Sequence, residues 1–191
     1  MSKFDVVVIG GGPAGERAAT QAARAGKRAA IVERARVVGG TCINWGAIPS
    51  KTLRESAIFW HQITRAPLHG IQVSPPDELT VGDFMWREKL VVSRELELVN
   101  AGLARRKVEV FQGHGQIVDA HTVAVMGSEG QSRTMLECDY IVIATGSSPH
   151  RPDDIPFDDR CLFDSDTILK MPRIPRSMIV LGAGVIGLEY A

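Results

Sequence analysis

The sequence has few cysteines and histidines, and neither residue type is grouped. Its three cysteines are odd in number and far apart, and its five histidines are scattered. A disulfide framework needs paired cysteines, and a zinc site needs closely spaced Cys or His ligands. We therefore predict neither a disulfide framework nor a bound metal.

An excess of one charge and a long apolar run are also missing. The 22 Lys and Arg residues balance the 22 Asp and Glu residues, so the net charge favours neither nucleic acid nor a membrane surface as a partner. No apolar run approaches the roughly 20 residues that cross a bilayer. The N-terminus has no signal-peptide pattern. We expect a cytoplasmic protein that binds neither nucleic acid nor membranes.

A glycine-rich segment follows directly after an apolar, β-branched run. Residues 4–9 read FDVVVI, which predicts a buried parallel strand. Residues 10–15 read GGGPAG and fit the pattern G-x-G-x-x-G. A helix is expected over 13–26 and a second strand over 27–32. This order of strand, glycines, helix and strand predicts a dinucleotide-binding unit.

The glycines of this segment each have a separate physical role. Gly10 permits the tight turn, Gly12 lets the backbone approach a pyrophosphate, and Gly15 lets the helix pack against the strand. The helix begins at Pro13, and its free N–H groups attract a negatively charged group. Glu33 follows at the end of the second strand, where an acidic side chain binds the ribose hydroxyls. FAD and NAD both fit this pattern.

A second segment carries the resemblance to a known family. Residues 40–51 read GTCINWGAIPSK, which resembles the redox-active segment of the flavin-dependent pyridine nucleotide–disulfide oxidoreductases. That family has a second cysteine five positions after the first, and this sequence has Ala47 there. A disulfide needs two thiols within bonding reach. Cys42 therefore cannot form the local bridge that defines the disulfide reductases.

The resemblance implies an α/β fold with a Rossmann-like FAD-binding domain of three-layer ββα architecture. This domain is expected over residues 1–148, followed by a linker over 149–176. An apolar run, Ser177–Leu181, predicts a strand that leads into GAGVIG, a second G-x-G-x-x-G pattern. We expect residues 177–191 to start an NAD(P)-binding domain. Since a βαβ unit needs about 30 residues, we expect the chain to be an N-terminal fragment of a longer protein.

The same resemblance implies the site residues. Lys51 would lie beside the flavin and pair with Glu189, and we predict these two as catalytic, because a cation stabilises negative charge on the reduced ring. Local sequence alone leaves open that Glu189 is only a first-turn helix acid. The residues expected to bind FAD or the second nucleotide are Gly10, Gly12, Pro13, Ala14, Gly15, Glu33, Arg34, Gly40, Thr41, Cys42, Lys51, His114, Gly115, Ala144, Thr145, Gly146, Gly182, Gly184 and Gly187.

The segment with Ala47 is similar to that of the flavin-dependent pyridine nucleotide transhydrogenases, a subgroup that has lost the second cysteine. This resemblance implies hydride transfer between NADPH and NAD through FAD, in a homodimer or larger homo-oligomer. Cys42 would be a bystander, and the fragment alone would be inactive. Two alternatives stay open. One is a dihydrolipoamide dehydrogenase-like enzyme with alanine in place of a cysteine at position 47, and the other is a non-catalytic flavin-binding module.

Between these motifs, the hydrophobic pattern predicts two helices and several short strands. The first helix is expected over 49–63 and a loop over 67–76. The second helix is expected over 80–107, with Thr80 and Asp83 as a capping pair and a break at 100–102. The predicted strands, of which the second and third form a hairpin, cover 108–111, 122–126, 132–136 and 140–146.

Overall fold

The computed structural model describes residues 2–74, 79–127 and 133–191. The chain divides into two compact units. The first unit, which holds the glycine-rich segment, consists of Met1–Cys42 and Arg94–Ser147. The second unit consists of Ile43–Ser93 and Ser148–Ala191.

Helices and strands alternate at the start of the chain, and most of the strands follow later. In chain order the elements are β1 (Ser2–Ile9), α1 (Pro13–Arg24), β2 (Ala29–Glu33), α2 (Gly40–Asn44), α3 (Ala47–Arg65), a 3-10 turn (Ala66–His69), α4 (Val81–Arg105), β3 (Glu109–Gln112), β4 (His114–Asp119), β5 (Thr122–Met126), β6 (Thr134–Ile143), a second 3-10 turn (Ile168–Lys170) and α5 (Val185–Tyr190).

The strands form one six-stranded sheet in the order β3-β2-β1-β6-β5-β4. The neighbours β3, β2, β1 and β6 run parallel to one another, whereas β5 and β4 continue the sheet in antiparallel pairing. All five residues of β2 are buried, as expected of a parallel strand that is covered on both faces. The predicted α/β fold is therefore confirmed.

Alternate residues of the parallel strands point into two separate cores. On one face, Val8 of β1 and Ile31 of β2 pack with Ala19 of α1 and Leu103 of α4. On the opposite face, the residues directly before and after these in β1 and β2 pack with Val123 of β5 and with other side chains of β5 and β6. One face of the parallel strands thus packs against helices, and the opposite face packs against side chains of β5 and β6.

Helix α4 begins at the predicted capping pair. The N–H of Asp83 donates to Thr80 Oγ1 at 3.1 Å, and the N–H of Thr80 donates to Asp83 Oδ2 at 3.1 Å. The break predicted at 100–102 is wrong, because the helix continues to Arg105. Leu103 is only 2% exposed, and burial of this side chain outweighs the cost of about 1 kcal/mol for a glycine inside a helix.

A single strand, β6, replaces the two strands predicted over 132–136 and 140–146. It pairs with β1 from Leu136 to Ile143, so parallel hydrogen bonding runs through the polar positions that interrupt its apolar pattern. Its first residues pair with β5, which confirms the predicted hairpin pairing. The residues 128–132 of the hairpin loop lie outside the described part of the chain.

Helix α3 starts before and ends after its predicted limits of 49 and 63. The loop expected over 67–76 contains a 3-10 turn, and its last two residues lie outside the described ranges. The strand predicted over Ser177–Leu181 is wrong. These residues have no strand partner among those that the structure describes, and Ile179 is 94% exposed. A parallel strand needs a neighbour to complete its backbone hydrogen bonds.

Within residues 2–74, 79–127 and 133–191, no helix combines the length and the apolar character required to cross a bilayer.

Candidate nucleotide-binding site

In the first unit, the glycine-rich loop lies where three strands and the start of a fourth meet. The N–H of Ala144, after β6, donates to the Ile9 carbonyl at the end of β1 at 2.8 Å. The N–H of Gly113, before β4, donates to the Glu33 carbonyl at the end of β2 at 2.8 Å. Residues that are far apart in the sequence therefore line one edge of the parallel sheet, which is where open α/β sheets bind ligands.

Two glycines of the loop are required by the fold itself. Gly10 has a φ of +108°, and a Cβ there would overlap the carbonyl of Ala144. A Cβ on Gly15 would overlap the carbonyl of Gly10. These contacts explain the tight turn and the close approach of α1 to β1 without any ligand.

Gly12 differs, because the fold leaves room for a side chain. Its φ is −72°, which any residue adopts. Among the residues that the structure describes, an added Cβ would meet only the Cα of Gly40, at an ordinary contact distance of 3.6 Å. The space beside the Gly12 backbone is therefore open, and a Cβ would partly fill it. This fits a diphosphate that approaches the backbone closely.

The start of α1 offers a suitable partner for such an anion. Among the described residues, no side chain caps this helix, and Pro13 and Ala14 at its first turn are exposed. The first N–H groups of a helix have no partner within the helix, and the dipole favours negative charge there. The observed arrangement can hold a dinucleotide pyrophosphate.

Glu33 has a structural task that the sequence did not reveal. Its side chain is buried, and its Oε2 accepts the N–H of Gly11 at 2.6 Å. Its Oε1 accepts the N–H of Ala35 at 2.8 Å. The carboxylate thus ties the end of β2 to the glycine loop. Each carboxylate oxygen has more than one lone pair, so Glu33 can still accept ribose hydroxyls.

The other predicted residues of the first unit lie around this edge or at its surface. Gly115 lies over β1 and β2, since an added Cβ would be 3.0 Å from Ile9 Cγ2 and 3.3 Å from Val32 Cγ1. Cys42 is a half-buried free thiol. The exposed members of the predicted set are Pro13, Ala14, Arg34, Thr41, His114, Thr145 and Gly146.

In the second unit, Lys51 of α3 and Glu189 of α5 form the ion pair that the resemblance implies. The Lys51 ammonium contacts Glu189 Oε1. The hydroxyl of Ser50 donates to the other oxygen, Oε2, at 2.9 Å. The hydrogen bond from Lys51 makes the largest contribution to holding the pKa of Glu189 below its ordinary value, and the hydrogen bond from Ser50 makes the next largest. Sequence reasoning missed Ser50, although it directly precedes Lys51.

The second glycine loop has the same internal geometry as the first. Gly182 has a φ of +111°. A Cβ on Gly187 would overlap the Gly182 carbonyl, just as a Cβ on Gly15 would overlap the Gly10 carbonyl in the first loop. The N–H of Leu188 donates to the Gly184 carbonyl at 3.0 Å as α5 begins. The turn therefore forms locally, even though the residues before it are not a strand.

A largely apolar cavity of about 780 Å³ adjoins the ion pair within the second unit. Lys51, Glu189 and Tyr190 line it together with apolar side chains. The Tyr190 hydroxyl is buried and has no hydrogen-bond partner in the part of the chain that the structure describes. Burial, and then the charges of Asp166, Glu189 and Glu88, raise the pKa of Tyr190 to about 12. No sequence pattern signalled this tyrosine.

Over residues 2–74, 79–127 and 133–191, no three His, Cys, Asp or Glu side chains are arranged to hold a metal ion.

Comparisons with known proteins identify several relatives. Residues 4–191 match the family model described as pyridine nucleotide-disulphide oxidoreductase. Over 191 residues the chain is 44% identical to the soluble pyridine nucleotide transhydrogenase of Mycobacterium bovis. This match covers 100% of the chain and 41% of that relative. Over 188 residues it is 42% identical to the protein of that name from Colwellia psychrerythraea, covering 98% of this chain and 40% of the relative.

Solved structures give the same picture of the fold. The chain matches the Cu(II) complex of the HOCl-induced flavoprotein disulfide reductase RclA from Escherichia coli with a TM-score of 0.79 and 28% identity. The match covers 100% of this chain and 39% of that one. The chain therefore spans about two fifths of the length of the proteins that it matches.

Proposed function

The chain belongs to the pyridine nucleotide-disulphide oxidoreductase family, and we propose that it is the flavin-binding part of a pyridine nucleotide transhydrogenase. In this proposal the whole protein moves hydride between NADPH and NAD. The transhydrogenases that are 42% and 44% identical to the chain support this assignment.

The observation that carries the proposal is the single thiol of the segment 40–51. Cys42 is a free cysteine, and Ala47 stands where a disulfide reductase of this family needs its second cysteine. A dithiol cannot form there. Hydride transfer between two nucleotides needs no dithiol, whereas disulfide reduction by this route does.

FAD is the cofactor that family membership and the flavoprotein relatives imply. The residues of the first unit fit it, because Gly12 leaves the backbone open and α1 presents its N-terminus beside it. Gly12 and the first turn of α1 would hold the pyrophosphate, and Glu33 would accept the ribose hydroxyls. When bound, the flavin supplies the chemistry, accepting hydride from one nucleotide and giving it to another.

Lys51 and Glu189 tune this transfer in our proposal. The ammonium of Lys51 would stabilise negative charge that develops on the ring during reduction. Glu189 would keep that ammonium in place, since its carboxylate contacts it directly. Cys42 takes no part. The second glycine loop, with Gly182, Gly184 and Gly187, would bind the NAD or NADP diphosphate.

Further properties of the protein belong to the same proposal. The chain is the N-terminal part of a longer flavoprotein, with the FAD domain over 1–148, a linker over 149–176 and the start of the NAD(P) domain over 177–191. The whole protein works in the cytoplasm as a homodimer or larger homo-oligomer, with small-molecule nucleotides as its substrates. The 191-residue chain alone does not turn over.

The test compares two activities of the full-length protein. Hydride transfer from NADPH to a spectrally distinct NAD analogue is measured beside NADH-dependent reduction of lipoamide. The proposal predicts robust transfer and no lipoamide turnover. Lipoamide turnover would instead favour a disulfide reductase that uses another thiol. The absence of both activities in flavin-loaded protein would leave a flavin-binding module.

A further inference from the structure

Ser50 donates a hydrogen bond to one oxygen of the Glu189 carboxylate, and the other oxygen contacts Lys51. Ser50 is only 4% exposed, and its hydroxyl lies 2.9 Å from Glu189 Oε2. The Lys51 ammonium contacts Oε1 of the same group. Both oxygens of Glu189 thus have a donor from α3, supplied by two consecutive residues of that helix.

The hydroxyl proton of Ser50 has two acceptors within reach. One is Glu189 Oε2, and the other is the carbonyl of Ala47 in the preceding helical turn, at 3.3 Å. A single proton makes one good hydrogen bond, and the shorter bond to a charged acceptor is the stronger. Ser50 therefore donates to Glu189 while this carboxylate is ionised. When the carboxylate is lost, the helix carbonyl remains as an alternative acceptor.

The second bond restricts how the ion pair can move. The Lys51 side chain is 56% exposed, and that of Glu189 is 30% exposed. An exposed ion pair alone holds its long side chains weakly, because their entropy opposes a single geometry. A buried hydroxyl on the second oxygen fixes the plane of the carboxylate, and with it the direction in which the carboxylate can hold the ammonium.

We propose that Ser50 is a positioning residue: it orients Glu189, and through Glu189 it holds the Lys51 ammonium in the place where it assists hydride transfer. This inference rests on the function proposed above, since it is the proposed role of Lys51 that makes its position matter.

The test uses Ser50→Ala in the full-length, flavin-loaded protein, with Thr52→Val as the matched control. Thr52 is a second buried hydroxyl on α3, and it donates to the Ile48 carbonyl of its own helix at 2.8 Å. Both variants remove one buried hydroxyl from the same helix. Only Ser50→Ala removes a bond to the ion pair.

The first readout is local and needs no activity. The pKa of Glu189 is followed by NMR with ¹³C-labelled glutamate, assigned with Glu189→Gln. Lys51 and Tyr190 are the titratable neighbours that the structure shows to interact with this carboxylate. Ser50→Ala should raise the pKa of Glu189, because a hydrogen bond to the charged form is lost. Thr52→Val should leave it unchanged. Equal behaviour of the two variants would overturn the proposal.

The second readout is the rate of flavin reduction by NADPH in a single turnover. Ser50→Ala should slow it about tenfold, and Ser50→Thr should restore most of the rate. In a Glu189→Gln background the additional effect of Ser50→Ala should largely disappear, since both changes act through one carboxylate. A full, additive loss in that background would overturn the proposal.

Lys51→Met distinguishes a failure of the role proposed for Ser50 from a failure of the role proposed for Lys51. A slower reduction in Lys51→Met with a normal rate in Ser50→Ala would overturn the role of Ser50 alone. Normal rates in both variants would overturn the proposed role of Lys51, and the inference about Ser50 with it.

Discussion

The carboxylate of Glu33 accepts the backbone N–H of Gly11 at 2.6 Å, across 22 residues of sequence. Its second oxygen accepts the N–H of Ala35. A residue predicted from its position to bind ribose therefore also fixes the loop that would bind the diphosphate. Both tasks depend on the same negative charge.

Glu33→Ala should weaken both the fold and FAD binding. Loss of a hydrogen bond to a buried charged group costs about 1.5–3 kcal/mol, and the loop loses its tether to β2. Glu33→Gln keeps one acceptor oxygen and should lose less. Urea unfolding and FAD titration measure the two effects. The control is Glu109→Gln, which removes an exposed ion pair with Arg28 and should change stability by about 0–1 kcal/mol. An effect of Glu33→Ala no larger than that of the control would contradict this account.

Gly12→Ala should separate folding from cofactor binding. The fold accommodates a Cβ at Gly12, with its nearest neighbour at 3.6 Å. We therefore expect normal thermal stability of the FAD-free protein, together with a loss of FAD affinity of at least about tenfold, because a methyl group would occupy space that the diphosphate needs.

Gly15→Ala provides the contrast for Gly12→Ala. A Cβ at this position would overlap the Gly10 carbonyl, so this variant should lose about 1–3 kcal/mol of stability even without FAD. Thermal unfolding of the FAD-free proteins and FAD titration by fluorescence distinguish the two substitutions. Unchanged FAD affinity in Gly12→Ala would show that no diphosphate approaches this glycine.

The turn at Asp158 should persist in acid and then open. Asp158 Oδ1 accepts the N–H groups of Arg160, Cys161 and Leu162, each at 2.9 Å. These bonds lower the pKa of Asp158 from 3.8 to about 2, and the bond from Cys161 contributes most. Because the folded pKa is depressed, the stabilisation is complete above pH 3.8 and is lost as the pH falls through about 2.

Amide NMR shifts of residues 160–162 report the opening of this turn. Asp158→Asn keeps an acceptor oxygen but no charge, so its turn should show no transition near pH 2. Asp153→Asn, at another exposed aspartate of the same segment, should titrate at residues 160–162 as the unmodified protein does. A transition at those amides centred near pH 4 in the unmodified protein would refute the three-bond arrangement.

Tyr190→Phe should leave the protein as stable as before or stabilise it by up to about 1 kcal/mol. The Tyr190 hydroxyl is buried and unpaired among the described residues, and removing an unsatisfied buried polar group relieves its desolvation cost. The unfolding midpoint measures this. Tyr140→Phe is the control, because Tyr140 is 69% exposed and its hydroxyl is not confined by burial. A loss of more than about 1 kcal/mol in Tyr190→Phe alone would reveal a partner for the hydroxyl.

Local patterns predicted the parts of this chain that form by local rules. The turn at Gly10, the start of α1 and the end of β2 at Glu33 follow from glycine geometry and strand periodicity. The capping pair at Thr80 and Asp83 is equally local.

Long-range contacts explain what the sequence did not reveal. Ser50 reaches Glu189 across 139 residues, and no periodicity encodes such a pair. The break expected at 100–102 failed because burial of Leu103 overrides helix propensity. The strand expected over Ser177–Leu181 has the right residue types, but a strand is defined by its partners, and none lies in the described part of the chain.

The central claim is that hydride transfer needs no thiol, and Cys42→Ser tests it most directly. This variant removes the thiol of the segment 40–51 and leaves the ion pair of Lys51 and Glu189 intact. The measurement is NADPH-to-NAD analogue transfer by the flavin-loaded, full-length variant beside the unmodified protein. The account predicts rates within about threefold of each other, or roughly 0.7 kcal/mol in the barrier. A loss of several orders of magnitude would contradict it and make Cys42 a participant in the reaction.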